Sequence, residues 1–564
     1  MRALADLDVL IIDCQTTGAS PAFGSVLELG WGVARANRAE TVAARAHWIA
    51  LPEGHVVPRQ VQKITGYEPA HSAEAIVASD AWQRLRAAVQ GAAAAPAAIH
   101  YARFELAFLR DWSARFEPET PFPIDAVCVH AIACRLYPDL PRQSLRALAG
   151  YLGHSLDLTR RSLGHVEATA FVWRKLCAEL ASREIESWEQ LRAWLSERAP
   201  AKARPKKPKY PIATERYKAL PDEPGVYRFL RSNGDVLYVG KAASLKKRVA
   251  SHFLARAGTP QSPEMLTQVG DIQVTVVPSA LEAAVLENET IKRLDPPYNV
   301  QLTASDPRVW YSSRDFDAAA ASPGEQSLIG PLASEYSLRP LGALIALASG
   351  ASASPHLRSQ AVGVSDLWTP DESVFAAGWA ELVRRHPAEL TASSEDPRRR
   401  ALHLAKKLLL ARALTKAGED SAALEAETAQ KPEGWDPERV ARHVERAAAQ
   451  SYQTYRRARW LQLLHDSDVV YREPDSTRVR LLQVRAGELA AASDVARARL
   501  PPSRVRVPTA LRAPAEFDRA KYDRLRILTT ELKRIARDGG DVAVHFGPTR
   551  QIPAQLLAGV LRVI

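Results

Sequence analysis

The chain has 564 residues, 46% hydrophobic and 25% charged; this composition excludes a disordered protein and exceeds one ordinary core, so about two to four domains are expected. Lys and Arg outnumber Asp and Glu by 75 − 64 = 11, which admits a polyanionic partner and equally a merely soluble basic protein. Cys14, Cys128, Cys134 and Cys177 form no CxxC pair, which excludes a zinc ribbon, suggests no disulfide framework and fits a reducing cytoplasm.

The stretch Met1-Arg-Ala-Leu-Ala-Asp6 lacks the apolar core of a signal peptide, and no later apolar run is long enough to span a bilayer, so a cytoplasmic protein without a membrane partner is expected. Val9–Ile12 and Val26–Val33 read as adjacent strands followed by Ala-rich helices, a mixed α/β domain over 1–185. Residues 186–213 read as a helix and a linker. Its segment Lys202 to Pro211 is basic and broken by three prolines, a spacer or a tether that contacts DNA through Lys206 and Lys207. A compact α/β segment follows over 214–303.

The remainder, 304–564, reads as mostly helical with some strands. A long helix is expected over Arg439–Leu464, and Pro474-Asp475-Ser476 as the turn of a hairpin over 468–484. There is no internal repeat and no helix-hairpin-helix glycine pattern. Arg456, Arg457 and Arg459 lie among Tyr452, Tyr455 and Trp460. The aromatics fit a core-facing helix with Val440, Val444 and Leu461, while Arg456 and Arg457 are candidate phosphate contacts. His403, His443 and His465 are too scattered for a metal site.

Within 214–303, Gly225-Val-Tyr227 and Tyr238-Val-Gly240 flank Asn233-Gly234, which favours a hairpin and puts both tyrosines on neighbouring strands. Leu245, Val249 and Phe253 then mark one face of a helix, with Arg248 beside it and Lys246 and Lys247, candidate DNA contacts, facing outward. A second helix opens on the capping box Ser279-Ala-Leu-Glu282 and ends before Pro296-Pro297. On it Glu287 shares a face with Ala280, Ala283, Ile291 and Leu294. A carboxylate on such a stripe needs a partner, either a divalent cation or a basic side chain.

These residues, with Lys241-Ala242, Leu286-Glu287-Asn288, Ile291-Lys292 and Pro297-Tyr298-Asn299, resemble the GIY-YIG nuclease domain, most closely that of the UvrC and Cho excinucleases. The resemblance implies hydrolysis of DNA phosphodiesters around one Mg²⁺ or Mn²⁺ ion held by Glu287. Tyr227 would activate water, supported by Tyr238 and Lys241. Arg248 would neutralise phosphate charge, and Asn299 would support the site by hydrogen bonding. A free phenol near pKa 10 needs a downward shift before it accepts a proton at neutral pH.

Over roughly Leu7–Leu180, Ile12-Asp-Cys-Gln-Thr-Thr-Gly18, Ile64-Thr-Gly66, Ile99-His-Tyr-Ala-Arg-Phe-Glu105, Arg135-Leu-Tyr-Pro138 and Ser144-Leu-Arg-Ala-Leu148 resemble DnaQ-like DEDD 3′–5′ exonucleases, implying an RNase H-like fold. That family uses four carboxylates and a histidine around two cations. Here Asp13 is kept, Gln15 replaces a glutamate and Glu105 an aspartate. In one register Arg160 stands for the histidine and His165 for the last acid; in the other His165 is the histidine and Ala170 stands for that acid. Two divalent cations would be under-neutralised either way. The domain is expected to be degenerate and to bind DNA or brace its neighbour.

The expectation is therefore a metal-dependent, structure- or damage-directed DNA endonuclease in repair, with DNA and damage-recognition repair proteins as partners. The alternatives are a 3′–5′ exonuclease like the epsilon subunit of DNA polymerase III, or a non-catalytic DNA-binding scaffold.

Overall fold

A computed structural model describes residues 3–39, 41–52, 54–89, 95–154, 161–197, 210–254, 263–299, 308–391, 396–415, 434–474, 476–495, 514–546 and 551–552. Arg160, Lys206 and Lys207 lie outside the described residues. The chain divides into two compact units. The first comprises Met1–Ala283 and Arg293–Gln301, the second Ala284–Lys292 and Leu302–Ile564. Among the described residues no helix is long and apolar enough to cross a membrane.

The first unit opens with strands β1 (Asp8–Thr16), β2 (Val26–Arg35), β3 (Thr41–Trp48), β4 (Ala95–Ile99) and β5 (Ile124–Cys128), in the sheet order β3-β2-β1-β4-β5. β1 pairs antiparallel with β2 and parallel with β4, and β4 pairs parallel with β5. Parallel neighbours need a crossover, supplied between β4 and β5 by the helix Ala102–Phe116. Side chains alternate across β1. Val9 and Ile11 enter a core with Val166 and Trp173 of the helix Ser162–Ala181, while Leu10, Ile12 and Cys14 enter one with Trp82 and Phe108. Both faces are covered, so β1 reads as a nearly unbroken apolar run.

The same unit carries a second sheet, β7-β6-β8, of β6 (Gly225–Leu230), β7 (Val236–Ala242) and β8 (Asp271–Val276). β6 and β7 form the hairpin. Gly234 N–H donates to the Arg231 carbonyl at 3.0 Å, and Gly234 has φ +92°, a conformation that suits glycine. The helix Leu245–Leu254 buries Leu245, Val249 and Phe253 against Tyr227, Phe229 and Leu237. The helix Ala280–Leu294 starts where Ser279 Oγ accepts from Glu282 N–H at 3.1 Å and stops before Pro296.

In the second unit β9 (Trp310–Ser312), β10 (Ala319–Ala320) and β11 (Ile329–Leu332) make a small sheet. β12 (Ser467–Arg472), β13 (Val479–Arg485), β14 (Glu488–Val495), β15 (Asp541–Phe546) and β16 (Gln551–Ile552) make a larger one, with β12 and β13 paired antiparallel. The helix Pro437–Leu464 opens on Asp436, whose side chain accepts from Arg439 N–H at 2.7 Å. It buries Val440, Val444 and Leu461, with Tyr452 and Tyr455 packed at the margin of their core.

Candidate active site

On β6 and β7, Tyr227 stands opposite Gly240 and Phe229 opposite Tyr238, so both tyrosines project from one face of the hairpin. Their ring centroids are 6.1 Å apart. A third ring completes the cluster: His252, on the helix Leu245–Leu254, has centroids 5.5 Å from Tyr227 and 6.1 Å from Tyr238. Tyr227 Oη lies 2.7 Å from His252 Nε2. Tyr227 is fully buried and His252 nearly so, whereas Tyr238 is half-buried.

The glycine that ends the second motif follows from this packing. A Cβ on Gly240 would fall 2.5 Å from Tyr227 Cζ, so the phenol lies flat on the β7 backbone where only glycine leaves room. Sequence reasoning missed His252. Its signal was present: it stands four residues after Arg248 and seven after Leu245, on the inward side of the helix.

Asn299 is buried, and its side chain acts on the backbone. Its Oδ1 accepts from Val239 N–H at 2.9 Å and its Nδ2 donates to the Val239 carbonyl at 2.8 Å. Tyr298 N–H donates to the Leu237 carbonyl at 3.2 Å. Residues 298–299 thus cover the outer edge of β7 on both sides of Tyr238, an edge that would otherwise expose unpaired groups. Lys241 is half-buried, and Arg248, Lys246 and Lys247 are exposed; Lys247 Nζ lies 3.7 Å from Asp222 Oδ2. Glu287 is half-buried on its helix, where Ala283 and Ile291 are buried and Leu294 is exposed.

In the N-terminal sheet Asp13, Gln15 and Glu105 are all buried. His165 Nδ1 lies 3.1 Å from Asp13 Oδ1, so an imidazole rather than a carboxylate faces Asp13 from the helix Ser162–Ala181. Among the described residues, Asp13 Oδ2 and Glu105 Oε2 have no hydrogen-bond partner. Burial first, and then the nearby Asp13 charge, push the Glu105 carboxyl well above the usual carboxylate range. Opposite Gln15 on β2 is Glu28, fully buried and held by Arg161 Nε at 2.5 Å and Ser162 N–H at 2.8 Å. The Arg161 guanidinium sits 4.2 Å over the Trp48 ring. Neither Glu28 nor Arg161 was singled out from sequence, because their pairing joins segments 133 residues apart. Among the described residues no group of three or more His, Cys, Asp or Glu side chains could hold a metal.

Arg456 and Arg457 lie half-buried on the helix Pro437–Leu464, and Lys533 on the helix Arg519–Arg537. Burial first, then the charges of Arg457 and Arg456, push the Lys533 ammonium down to about 8.

Comparison with known proteins locates the resemblance within the chain. Residues 223–300 match the UvrC-like GIY-YIG domain. The UvrABC system protein C of Alkalilimnicola ehrlichii is 45% identical over 129 residues, 22% of this chain and 21% of that protein. That of Nitrosomonas europaea is 49% identical over 81 residues, 14% and 13% of the two. The chain thus spans about a fifth or less of the length of these relatives. The GIY-YIG N-terminal endonuclease domain of UvrC from Thermotoga maritima, solved with its catalytic divalent cation, magnesium, is 32% identical. That match covers 15% of this chain and 92% of that one, with a TM-score of 0.14. The zinc-bound E. coli ExoI–ssDNA complex is 15% identical, covering 40% and 48% of the two chains, with a TM-score of 0.28.

Proposed function

We propose that residues 223–300 form a metal-dependent endonuclease that hydrolyses DNA phosphodiester bonds, serving repair. The observation that carries this reading is the packed cluster of Tyr227, Tyr238 and His252 inside the segment that matches the UvrC-like GIY-YIG domain. The donor set suits the ion. One half-buried carboxylate, Glu287, fits Mg²⁺ or Mn²⁺, since such an ion keeps several waters and takes further oxygens from the substrate phosphate. When bound, the ion supplies positive charge that polarises the scissile phosphate and stabilises the leaving oxygen.

The chain's own residues divide the remaining work by burial. A base must touch the water it activates. The Tyr227 hydroxyl is enclosed over Gly240 and engaged with His252, so the water-activating role expected of Tyr227 passes to the half-exposed Tyr238. Tyr227 and His252 form the floor that fixes its ring. Lys241 stays beside the site. Exposed Arg248 meets the phosphate, as a guanidinium can bind two of its oxygens, and Asn299 holds the strand under Tyr238. Arg456 and Arg457 with Lys533, and the exposed Lys246 and Lys247, are proposed contacts for the DNA backbone. Because the matched relatives are named as members of a UvrABC system, repair proteins that recognise damage are the proposed partners.

For the N-terminal sheet we infer a DnaQ-like, RNase H-type fold, supported by its strand order and the antiparallel β2, that has lost its chemistry. A two-metal site needs ionised carboxylates. Here burial and the Asp13 charge raise the Glu105 carboxyl above the usual carboxylate range, an imidazole faces Asp13, and a guanidinium pairs with Glu28. The test is cleavage of labelled nicked, flapped and lesion-bearing duplexes by wild type, Glu287→Gln and Asp13→Ala with Mg²⁺ or Mn²⁺. Glu287→Gln should lose at least about a hundredfold in rate, and Asp13→Ala should match wild type. Shortening from the 3′ end that depends on Asp13 would refute the assignment of a lost site.

A further inference from the structure

We infer that Arg146 and Gly150, on the N-terminal helix Leu145–Tyr151, are positioning residues for Tyr238, so that the degenerate lobe serves as a built-in brace for the nuclease site. The inference rests on the role proposed for Tyr238.

The connection can be followed atom by atom within the first unit. The Arg146 guanidinium lies 4.5 Å over the Tyr298 ring, with Nη1 3.8 Å from Glu264 Oε1. Tyr298 Oη donates to that same carboxylate oxygen at 3.0 Å and accepts from Gln268 Nε2 at 2.8 Å. Ser144, which caps the Arg146 helix, donates to Glu264 Oε2 at 3.0 Å. The N-terminal lobe therefore meets both carboxylate oxygens of Glu264, Oε1 through Arg146 and Oε2 through Ser144.

Gly150 makes the second contact. A Cβ there would fall 2.5 Å from Gln268 Cδ, so the glutamine lies flat against the glycine. Gln268 cannot simply swing aside, because it is buried and its Oε1 accepts from Arg231 Nε at 3.1 Å. Any residue larger than glycine at 150 displaces Gln268 and, with it, the partner of the Tyr298 hydroxyl.

Tyr298 passes this restraint to the site. Its own N–H binds the Leu237 carbonyl and the next residue, Asn299, clamps both polar groups of Val239. Tyr238 sits between those two residues. A cation over an aromatic ring, a half-buried carboxylate and a close glycine contact are specific enough to fix one orientation of the 298–299 segment, and no group in the chain of contacts is a residue of the reaction itself.

The experiment compares full-length wild type, Arg146→Ala, Gly150→Val and Arg146→Lys, with exposed Arg142→Ala as control. Hydrogen exchange of the Val239 amide is followed by mass spectrometry, and Mg²⁺-dependent cleavage and DNA binding in EDTA are measured alongside. In Arg146→Ala and Gly150→Val the Val239 amide should exchange about tenfold faster and cleavage should fall by a similar factor, with binding in EDTA unchanged. Arg146→Lys, which keeps a cation over the ring, should recover most of the protection, and Arg142→Ala should behave as wild type. Unchanged Val239 exchange in both variants overturns the brace. If the wild type cuts no DNA, the nuclease reading fails, and the exchange data still decide whether the lobe restrains β7.

Discussion

The Tyr227, Tyr238 and His252 cluster separates the two phenols by burial, Tyr227 enclosed and Tyr238 half-exposed. Tyr238→Phe should reduce cleavage by about a hundredfold or more with little change in melting temperature, since it removes a proton acceptor from a half-exposed position. Tyr227→Phe should instead cost about 1 kcal/mol of stability, because it deletes an enclosed hydrogen bond; paired kinetics and thermal unfolding of the two variants check this, and the opposite pattern would reverse the roles. Glu105 gives a pH signature. Its folded-state pKa is raised by burial and by Asp13, so the native state holds a proton that the unfolded chain releases above its ordinary carboxylate range. Its contribution to stability is present in acid and is lost as pH rises through the raised value. Glu105→Gln should therefore raise the melting temperature, with a gain that widens from pH 5 to pH 8 and does not depend on added Mg²⁺. A gain cancelled by Mg²⁺ would indicate that Asp13 and Glu105 still hold an ion.

The β6–β7 hairpin owes its geometry to two local devices, the left-handed turn at Gly234 and the bare backbone at Gly240, and to one distant one, the Asn299 clamp. Asn299→Ala would leave the Val239 N–H and carbonyl without their partners at a covered edge, at a cost of about 1–3 kcal/mol. It should also slow cleavage without weakening DNA binding, as read by chemical denaturation beside single-turnover kinetics. This contrast explains what was legible in the sequence. The hairpin, the Leu245–Val249–Phe253 stripe and the capping box at Ser279 depend on neighbours within about one or two turns, so spacing reveals them. The target of Asn299, the grip of Arg161 on Glu28 and the cation over Tyr298 join residues 60 to 152 positions apart, and no periodicity encodes such pairs. His252 falls between the two classes, because its helix face was readable while the hydroxyl it meets belongs to another element.

For the molecule as a whole, some of the basic residues gather in the second unit. Burial first, and then the charges of Arg457 and Arg456, hold the Lys533 ammonium down at about 8, and the three charges repel one another until a polyanion joins them. Duplex binding in EDTA by Arg456→Gln/Arg457→Gln should lose about two from its salt-dependence slope. Wild-type binding should weaken between pH 7 and pH 9 as Lys533 gives up its proton, and fluorescence anisotropy across salt and pH tests both. The N-terminal lobe carries a different lesson, written in the guanidinium of Arg161. That cation lies between Trp48 and the carboxylate across from Gln15. Restoring a glutamate at position 15 would add negative charge across from the Glu28–Arg161 pair. On the reading proposed above for this lobe, a single such reversion is expected to leave it without 3′–5′ exonuclease activity.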